Sequence, residues 1–372
     1  MPLPDRPIRF LQVNTFYRPY IEDFYKSYPH LAQSDYDSQI NAILDDGFSA
    51  GHIFSRQLKL LGFETMQVID DNPVSQAAWL LQNSDQISQK IDFNDVVKLQ
   101  IETFCPDILY FTNIVPFETK FLQSLQIRPS IVAGWRGFPL PEGLDLSGYD
   151  LVLTSFDRIL AEARALGAQD VIRFHPGFPE DPTFLSEPRS IKWDVVFSGS
   201  ATQEHANRIE VLELIAQLSR DPQRPFSFGL FMPDASGLPL DVQHMNQGAR
   251  WGNDMLRTLR DSQIVINTDI DAFGNQPPNM RLLEATGAGA FLITPYHPEL
   301  KNFFEPGSEI ETFRNQNELI SKILYYLDNP GLCEDIAAAG QRRCLREHGL
   351  NSRAVWLKEI FLAAMAYRRS MD

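Results

Sequence analysis

Residues 279–294, NMRLLEATGAGAFLIT, join a helix pattern to a strand pattern. Leu282, Leu283 and the lone acid Glu284 belong to the helix, and residues 291–294 are apolar enough for a buried strand. Alanine and glycine dominate between them, and such small residues allow a helix to end and to pack closely. A helix leading directly into a buried strand is part of a strand–helix–strand unit, which is typical of a parallel α/β sheet.

The same alternation extends through the rest of the chain. Strand patterns occur at 8–14, 64–70, 107–111, 130–133, 150–153, 170–174, 194–198, 226–231 and 263–267. Helix patterns occur at 49–61, 91–104, 117–126, 155–166, 205–219, 253–261, 315–327 and 330–347. Strands that alternate with helices imply right-handed crossovers and parallel sheets. A polar, tyrosine-rich stretch at 17–46 interrupts the pattern and lacks a strand signal.

A second interruption divides the pattern into two halves. Residues 175–192, HPGFPEDPTFLSEPRSIK, contain four prolines and several charges, which is typical of a linker. We therefore expect two doubly wound α/β domains facing a central cleft, an N-terminal one at 1–176 and a C-terminal one at 190–350. The amphipathic helix at 352–370 either crosses back to the N-terminal domain or packs on its own domain.

Composition narrows the possible partners. The formal net charge of −15 argues against nucleic acid or an anionic membrane as the main partner. No run approaches the ~20 apolar residues that span a bilayer, and the first residues lack a signal-peptide pattern. The three cysteines have no metal-site spacing. We expect a cytoplasmic protein with no integral membrane segment, and its oligomeric state stays open.

The opening stretch also predicts a ligand site. Ligands of open α/β sheets bind beyond the carboxyl ends of strands, near helix N-termini. Prolines at 277–278 suit a first helical turn, which leaves the amides of Asn279 and Met280 as phosphate donors beside the Arg281 guanidinium. Glu284, about 1.5 turns into the helix, can accept hydrogen bonds from a ribose diol. The alternative is a solvated surface glutamate.

Further donor-side candidates lie at other strand ends. Ser198, Gly199 and Ser200 form the first turn of the C-terminal domain, where their amides and hydroxyls can meet a diphosphate or a sugar. A plain strand-to-helix turn is the alternative. Arg208, in the helix that follows, can neutralise a departing diphosphate or pair with a surface acid. Asn267 ends a strand at the same expected edge, and turn formation is the alternative explanation for it.

The N-terminal domain offers acceptor-side candidates. His52 lies at the start of a helix and suits a general base, because an ordinary histidine pKa is about 6.5. Trp135 and Arg136 follow a strand, and His175 lies where the chain first leaves this domain. For each of these residues a structural role is the competing interpretation. Asp269 and Asp271 are the one pair of acids whose spacing suggests a metal-dependent transferase, but the expected fold argues against it, so no metal site is expected.

Several collinear segments resemble a known family, the CgeB-like glycosyltransferases of the spore-maturation type. They are DVVFSGSATQEHANRIEVLELIA, LRDSQIVIN, NMRLLEATGAGAFLIT, PELKNFFEPGSEIETF, NELISKILYYLDNP and IAAAGQRRCLREHGLNSR, which lie within about 190–360. The resemblance implies the GT-B fold, with two Rossmann-like domains, a nucleotide-sugar donor in the C-terminal domain and an acceptor mainly at the N-terminal one. It also favours a C-terminal helix that crosses back.

The resemblance assigns roles to particular residues. Glu284 matches the acid that binds the nucleotide ribose. Many retaining GT-B enzymes have a second glutamate eight positions earlier, where this chain has Gln276. The nature of the sugar contact and of the sugar itself therefore stays open.

The expected function is a metal-independent glycosyltransferase of the hexosyltransferase type. It would move a sugar from a UDP, GDP or dTDP donor to a hydroxyl acceptor, which would be a saccharide, a lipid-linked molecule or a small molecule. Retention of configuration is favoured over inversion by analogy of fold, and no permanently bound cofactor is expected. The alternatives are a GT-B nucleotide-sugar epimerase and a non-catalytic nucleotide- or sugar-binding partner protein.

Overall fold

The computed structural model describes residues 6–83, 92–201, 206–269 and 280–371. Its strands are β1 Arg9–Asn14, β2 Glu64–Ile69, β3 Ile108–Phe111, β4 Ile131–Trp135, β5 Leu151–Thr154, β6 Asp170–Arg173, β7 Trp193–Ser198, β8 Phe228–Phe231, β9 Ser262–Ile266, β10 Leu292–Pro295 and β11 Glu311–Phe313. Its α-helices are α1 Arg18–Ser27, α2 Tyr36–Asp46, α3 Ser55–Leu60, α4 Pro73–Asn83, α5 Phe93–Phe104, α6 Thr119–Gln123, α7 Asp157–Ala165, α8 Pro182–Ser186, α9 Ala206–Ser219, α10 Leu240–Gln243, α11 Gly252–Arg260, α12 Arg281–Gly287, α13 Gln316–Asp328, α14 Pro330–Glu347 and α15 Leu350–Met371.

These elements form two compact units, each with one parallel sheet. Unit 1 comprises Met1–Gly177 and Leu350–Asp372, and unit 2 comprises Phe178–Gly349. The strand order is β2-β1-β3-β4-β5-β6 in unit 1 and β11-β10-β9-β7-β8 in unit 2. Both sheets are open and doubly wound, as predicted for the fold class. The order reverses between β1 and β3 in unit 1 and between β7 and β9 in unit 2. Ligands of such sheets bind at these switch points.

Both faces of the unit 1 sheet are buried. Successive residues of a strand point to opposite faces, so each strand contributes to two apolar clusters. Leu11, Leu109 and Val132 contribute to the apolar cluster on one face. On the other face, Phe10, Tyr110 and Ala133 pack in a cluster with the last helix of the chain, α15.

Helix α15 is fixed to unit 1 by apolar and polar contacts. Leu357 and Phe361 are fully buried, and the Phe361 ring centroid lies 5.8 Å from that of Phe10. Lys358 Nζ donates to the Leu61 carbonyl at 3.2 Å. Helix α15 therefore packs on the N-terminal sheet, which is the first of the two predicted placements.

The sheet of unit 2 is built in the same way. Val195, Ile264 and Ile293 contribute to the cluster on one face, and α9 and α13 cover it. Val196 and Val265 contribute to the opposite face together with α12 and Phe178. Burial of both faces explains the apolar runs within these strands, such as residues 195–197 and 264–266.

The structure differs from the predicted pattern in unit 1. The polar stretch 17–46 contains two helices, α1 and α2, and α4 was also missed. The predicted helix 49–61 is broken into a 3-10 turn, Ala50–His52, and the short α3. Ile53, between these two elements, has an extended backbone with φ −101° and ψ 107°, which prevents one continuous helix.

Phe361→Ala should destabilise unit 1 by about 3–5 kcal/mol, because it removes a fully buried aromatic ring that covers the sheet. The measurement is the free energy of unfolding from urea denaturation. Val355→Ala, on the exposed side of the same helix, is the matched control and should change the value by less than about 0.5 kcal/mol. Equal effects of the two substitutions would contradict the packing described here.

Candidate active site

Two loops meet at the switch point of unit 2. The first follows β7 and contains Gly199 and Ser200, and the second follows β9 and contains Asn267, Thr268 and Asp269. Strands β7 and β9 pair directly, so their carboxyl ends lie at the same edge of the sheet. The Gly199 amide also donates to the Phe231 carbonyl at 3.2 Å, which joins the first loop to the end of β8. The predicted residues Ser198, Gly199, Ser200 and Asn267 are thus at one edge.

Arg208 connects these two loops. Its guanidinium donates to the Ser200 carbonyl at 2.5 Å, the Thr268 hydroxyl at 2.7 Å and the Asp269 carbonyl at 3.1 Å. The group also lies 5.5 Å from the centroid of the Phe197 ring, and Arg208 is only 6% exposed. The alternative of a surface ion pair does not fit this burial. Arg208 keeps a positive charge at the edge and holds the loops that form it.

Two more side-chain pairs join the carboxyl end of β9 to that of β10. Asn267 Nδ2 donates to Thr294 Oγ1 at 3.0 Å, and both residues are buried. His297 Nε2 lies 2.9 Å from Asp269 Oδ2. The hydrogen bond to Asp269 raises the pKa of His297. The sequence analysis did not single out His297, although its place just after a strand was a usable signal.

Helix α12 places Arg281 and Glu284 at the same edge, because a crossover helix starts where the preceding strand ends. Arg281 Nη1 lies 3.0 Å from Glu284 Oε2. The side chains are 15% and 23% exposed, so both are partly buried. The predicted depth of Glu284 was wrong, since α12 begins at Arg281 with Met280 as N-cap, and Glu284 is in its first turn. Arg281 also donates to Met255 Sδ.

The small residues after Glu284 serve packing within the protein. A Cβ on Gly287 would lie 2.2 Å from the Phe178 ring, and Ala285, Ala288 and Ala290 are buried. Gly289 has a φ of 79°, which ends the helix in a left-handed turn. The close packing at Gly287 is therefore against the Phe178 ring. Gln276 and Asn279 lie outside the described residues.

In unit 1 the structure brings His52 and Trp135 together. Their ring centroids are 4.3 Å apart, with the rings tilted by 63°. His52 Nδ1 and Trp135 Nε1 are buried and have no hydrogen-bond partner among the described residues. Burial lowers the pKa of His52 to about 4, so the imidazole is neutral at pH 7 and only weakly basic. The general-base role of His52 stays a prediction.

Arg136 and His175 have different surroundings. The Arg136 guanidinium donates to the carbonyls of Phe138 at 2.7 Å and Pro139 at 2.6 Å, so it stabilises its own loop. Burial lowers the pKa of Arg136. His175 lies two residues before Gly177, whose amide donates to the Gly51 carbonyl at 3.3 Å. The acceptor-side roles of these residues stay predictions.

Within the described ranges, no group of three or more histidine, cysteine or acidic side chains has metal-site geometry. The same ranges contain no helix long and apolar enough to cross a membrane.

One family model matches part of the chain. Residues 211–359 match the family model described as "Glycosyl transferase-like". This match includes Asn267, Arg281 and Glu284. No curated protein matches the sequence.

Similar solved structures cover nearly the whole chain. A glycosyltransferase from Rickettsia africae ESF-5 has a TM-score of 0.58 at 13% identity, covering 96% of this chain and 99% of that one. Sucrose-phosphate synthase from Thermosynechococcus elongatus has a TM-score of 0.58 at 10% identity, with coverage of 97% and 100%. Anabaena Alr3699/HepE in complex with UDP-glucose has a TM-score of 0.58 at 11% identity, with coverage of 96% and 100%.

The two parallel-sheet units have the GT-B fold of these structures, and residues 211–359 are similar to a glycosyl transferase-like domain. The narrower CgeB-like assignment stays a prediction.

Arg208→Lys should lower the free energy of unfolding of unit 2 by about 1–3 kcal/mol. A single ammonium cannot reach all three acceptors, and a buried acceptor without a donor costs about that much. Urea denaturation measures this change in the free energy of unfolding. Arg220→Lys is the control, because Arg220 just follows the same helix, is 45% exposed and pairs with Asp241 at the surface. If both variants lose the same stability, the buried hydrogen bonds of the Arg208 guanidinium are not structurally important.

His297→Gln should cost more stability at pH 5.5 than at pH 8.5. The raised pKa of His297 means that the charged pair with Asp269 contributes fully below the unfolded pKa of about 6.5. That contribution is lost as the pH rises through the pKa that His297 has in the folded protein. Thermal unfolding at the two pH values measures the difference, and His244→Gln, at an exposed histidine of the same unit, should show no such trend. A pH-independent loss for His297→Gln would contradict the ion pair.

Proposed function

We propose that the chain transfers a sugar from a nucleotide-diphosphate sugar to a hydroxyl group of an acceptor. The observation that carries the proposal is the partly buried Arg281–Glu284 pair at the carboxyl edge of the unit 2 sheet. UDP is the first nucleotide to test, because Anabaena Alr3699/HepE, of similar fold, is in complex with UDP-glucose. The finer assignment to CgeB-like enzymes belongs to the same proposal.

Glu284 would bind the ribose of the donor. A carboxylate can accept hydrogen bonds from both hydroxyls of a vicinal diol. Arg281 holds one carboxylate oxygen at 3.0 Å, which fixes the rotamer of Glu284 before a ligand arrives. Asn279 and Met280 would contribute backbone amides, and Gln276 would contact the donor sugar.

The diphosphate would be stabilised by fixed donors and positive charge. Arg281 is beside the proposed ribose site, and Arg208 adds a buried positive charge between the two loops at the switch point. The loop 198–200 would offer amides and the hydroxyls of Ser198 and Ser200. Positive groups in such positions stabilise a departing diphosphate, the role that a metal ion has in other transferases. We therefore propose transfer that is independent of metal, which undiminished activity in EDTA would support.

The acceptor would be a saccharide, a lipid-linked molecule or a small molecule with a hydroxyl group, bound mainly by unit 1. His52, Trp135, Arg136 and His175 are the proposed contacts there. The buried ring nitrogens of His52 and Trp135 support a ligand role, because unsatisfied polar atoms of this kind are rare in proteins. Retention is the proposed stereochemistry, by analogy of fold only, and the anomeric proton coupling of the product distinguishes it from inversion.

Glu284→Gln should weaken UDP binding by about 1–3 kcal/mol, the range for hydrogen bonds to a charged group. Isothermal titration calorimetry with UDP, GDP and dTDP measures the affinities and identifies the base. Glu213→Gln is the control, since Glu213 is exposed on α9 of the same unit. Equal UDP affinity in Glu284→Gln and wild type, with intact thermal unfolding, would remove the ribose assignment.

A turnover experiment separates the possible activities. The full chain is incubated with UDP-glucose, and UDP release is followed with and without a panel of hydroxyl acceptors. The proposal expects UDP release that acceptor accelerates. Epimerisation of the sugar without UDP release, or UDP binding without any turnover, would favour the two alternative functions and overturn this one.

A further inference from the structure

The carboxyl ends of β1 and β2 form a second polar edge in unit 1, next to its switch point. The Asp70 amide donates to the Asn14 carbonyl at 3.0 Å, which extends the strand pairing by one residue. Thr15 Oγ1 donates to Asp70 Oδ2 at 3.1 Å. Asp70 is thus held at the carboxyl edge of the sheet, one strand away from the switch point, and ligands of open α/β sheets bind on this side.

Asp70 is buried with only one of its oxygens satisfied. It is 8% exposed, and its Oδ1 has no hydrogen-bond partner among the described residues. Within the same ranges, none of the ion pairs formed by lysine, arginine or histidine involves Asp70. The neighbouring Asp71 adds a second acid, whose Oδ1 accepts the Phe16 amide at 2.9 Å. Burial, followed by the charge of Asp71, raises the pKa of Asp70 to about 7.

A second acceptor without a donor lies close in the chain. Gln76 on α4 is fully buried, and its Nε2 donates at 2.9 Å to the carbonyl of Ile69, the residue before Asp70. Its Oε1 has no partner among the described residues. Two unsatisfied acceptors call for a ligand that supplies donors, and they disfavour an anion.

The surrounding chain favours a carbohydrate as that ligand. Tyr17, two residues after Thr15, is 66% exposed, and its ring centroid is 5.6 Å from that of Phe48. An exposed aromatic surface can pack against the C–H face of a sugar ring, while a carboxylate accepts from its hydroxyls. A simple ammonium ion would not need the aromatic surface.

A purely structural role explains Asp70 poorly. A buried carboxyl with an unsatisfied oxygen and an acidic neighbour costs stability when it ionises. Asparagine would keep the acceptor for Thr15 without a charge. Groups that are retained at such a cost concentrate at functional sites.

We propose that Asp70, held by Thr15, accepts a hydrogen bond from a hydroxyl of a sugar or similar polyol, and that this edge of unit 1 recognises the acceptor substrate. The inference rests on the proposed function and narrows the acceptor to carbohydrate chemistry. Asp70 is a binding group here, and no proton transfer is assigned to it.

The test uses the full chain without any donor. Methyl α-glucopyranoside, methyl β-glucopyranoside and methyl α-galactopyranoside are the probes, and saturation-transfer difference NMR titration gives the dissociation constants. We expect wild type to bind at least one probe, and Asp70→Asn to bind it at least about tenfold more weakly, as expected when a charged acceptor is lost. Thr15→Val should have a smaller effect in the same direction. Glu64→Gln is the matched control and should bind like wild type, because Glu64 is exposed at the opposite end of the same strand, β2, and pairs with Arg9.

Stability provides an independent readout. The folded pKa of Asp70, about 7, exceeds the unfolded value near 3.8, so the folded state loses stability as the pH rises between them. Asp70→Asn should therefore raise the Tm more at pH 8 than at pH 4.5. A lowered Tm at pH 8 would show a structural carboxylate and overturn the proposal.

Two binding results would also overturn it. One is a wild type that binds none of the three glycosides, which would mean that an ordered water satisfies Asp70. The other is equal binding by Asp70→Asn and wild type. Because no donor is present, failure of the UDP experiments on Glu284 would leave these outcomes unaffected, so the two proposals fail separately.

Discussion

The edge of the unit 2 sheet depends on one buried guanidinium. The carbonyls of Ser200 and Asp269 come from different loops, and Arg208 donates to both while it also holds the Thr268 hydroxyl. Without this group the carbonyl dipoles would lack donors at the point where the strand order reverses. Five donors in a fixed plane allow one side chain to do this, which an ammonium cannot. This contact therefore holds the two loops together at the edge of the sheet.

The polar side chains at the two sheet edges are used differently. In unit 2 they satisfy one another, as in Asn267 with Thr294 and His297 with Asp269. In unit 1, among the residues described, His52 Nδ1, Trp135 Nε1 and Asp70 Oδ1 stay buried without partners. A preorganised edge suits a ligand held by charge, such as a diphosphate. An edge with open hydrogen-bonding positions suits a ligand rich in hydroxyls. The proposed division of donor and acceptor between the units agrees with this contrast.

The sequence predicts the sheets better than it predicts the site. Strands buried on both faces leave long apolar runs, so both sheets and the class of fold could be predicted. Helices α1 and α2 could not, because their buried faces use tyrosine and glutamine: Tyr36, for example, is buried and donates to the Gln67 carbonyl. Arg208 and Glu284 could be placed by spacing near the starts of the helices that follow β7 and β9. The partners of Asp70 and His297 could not, since those contacts join residues 55 and 28 positions apart, and a single polar residue after a strand is usually explained by a turn.

The Arg281–Glu284 pair resolves an electrostatic conflict in the proposed donor site. A chain of net charge −15 repels an anionic nucleotide at long range, and a bare carboxylate beside the diphosphate would add to that repulsion. Arg281 neutralises Glu284 at 3.0 Å, yet a carboxylate has about four lone-pair positions, so enough remain for a diol. The arginine can then attract phosphate while the glutamate discriminates in favour of ribose hydroxyls. An isolated arginine would attract any polyanion, and an isolated glutamate would repel the donor. In the proposed donor site, selectivity for a nucleotide would therefore require the two together, on one turn of one helix.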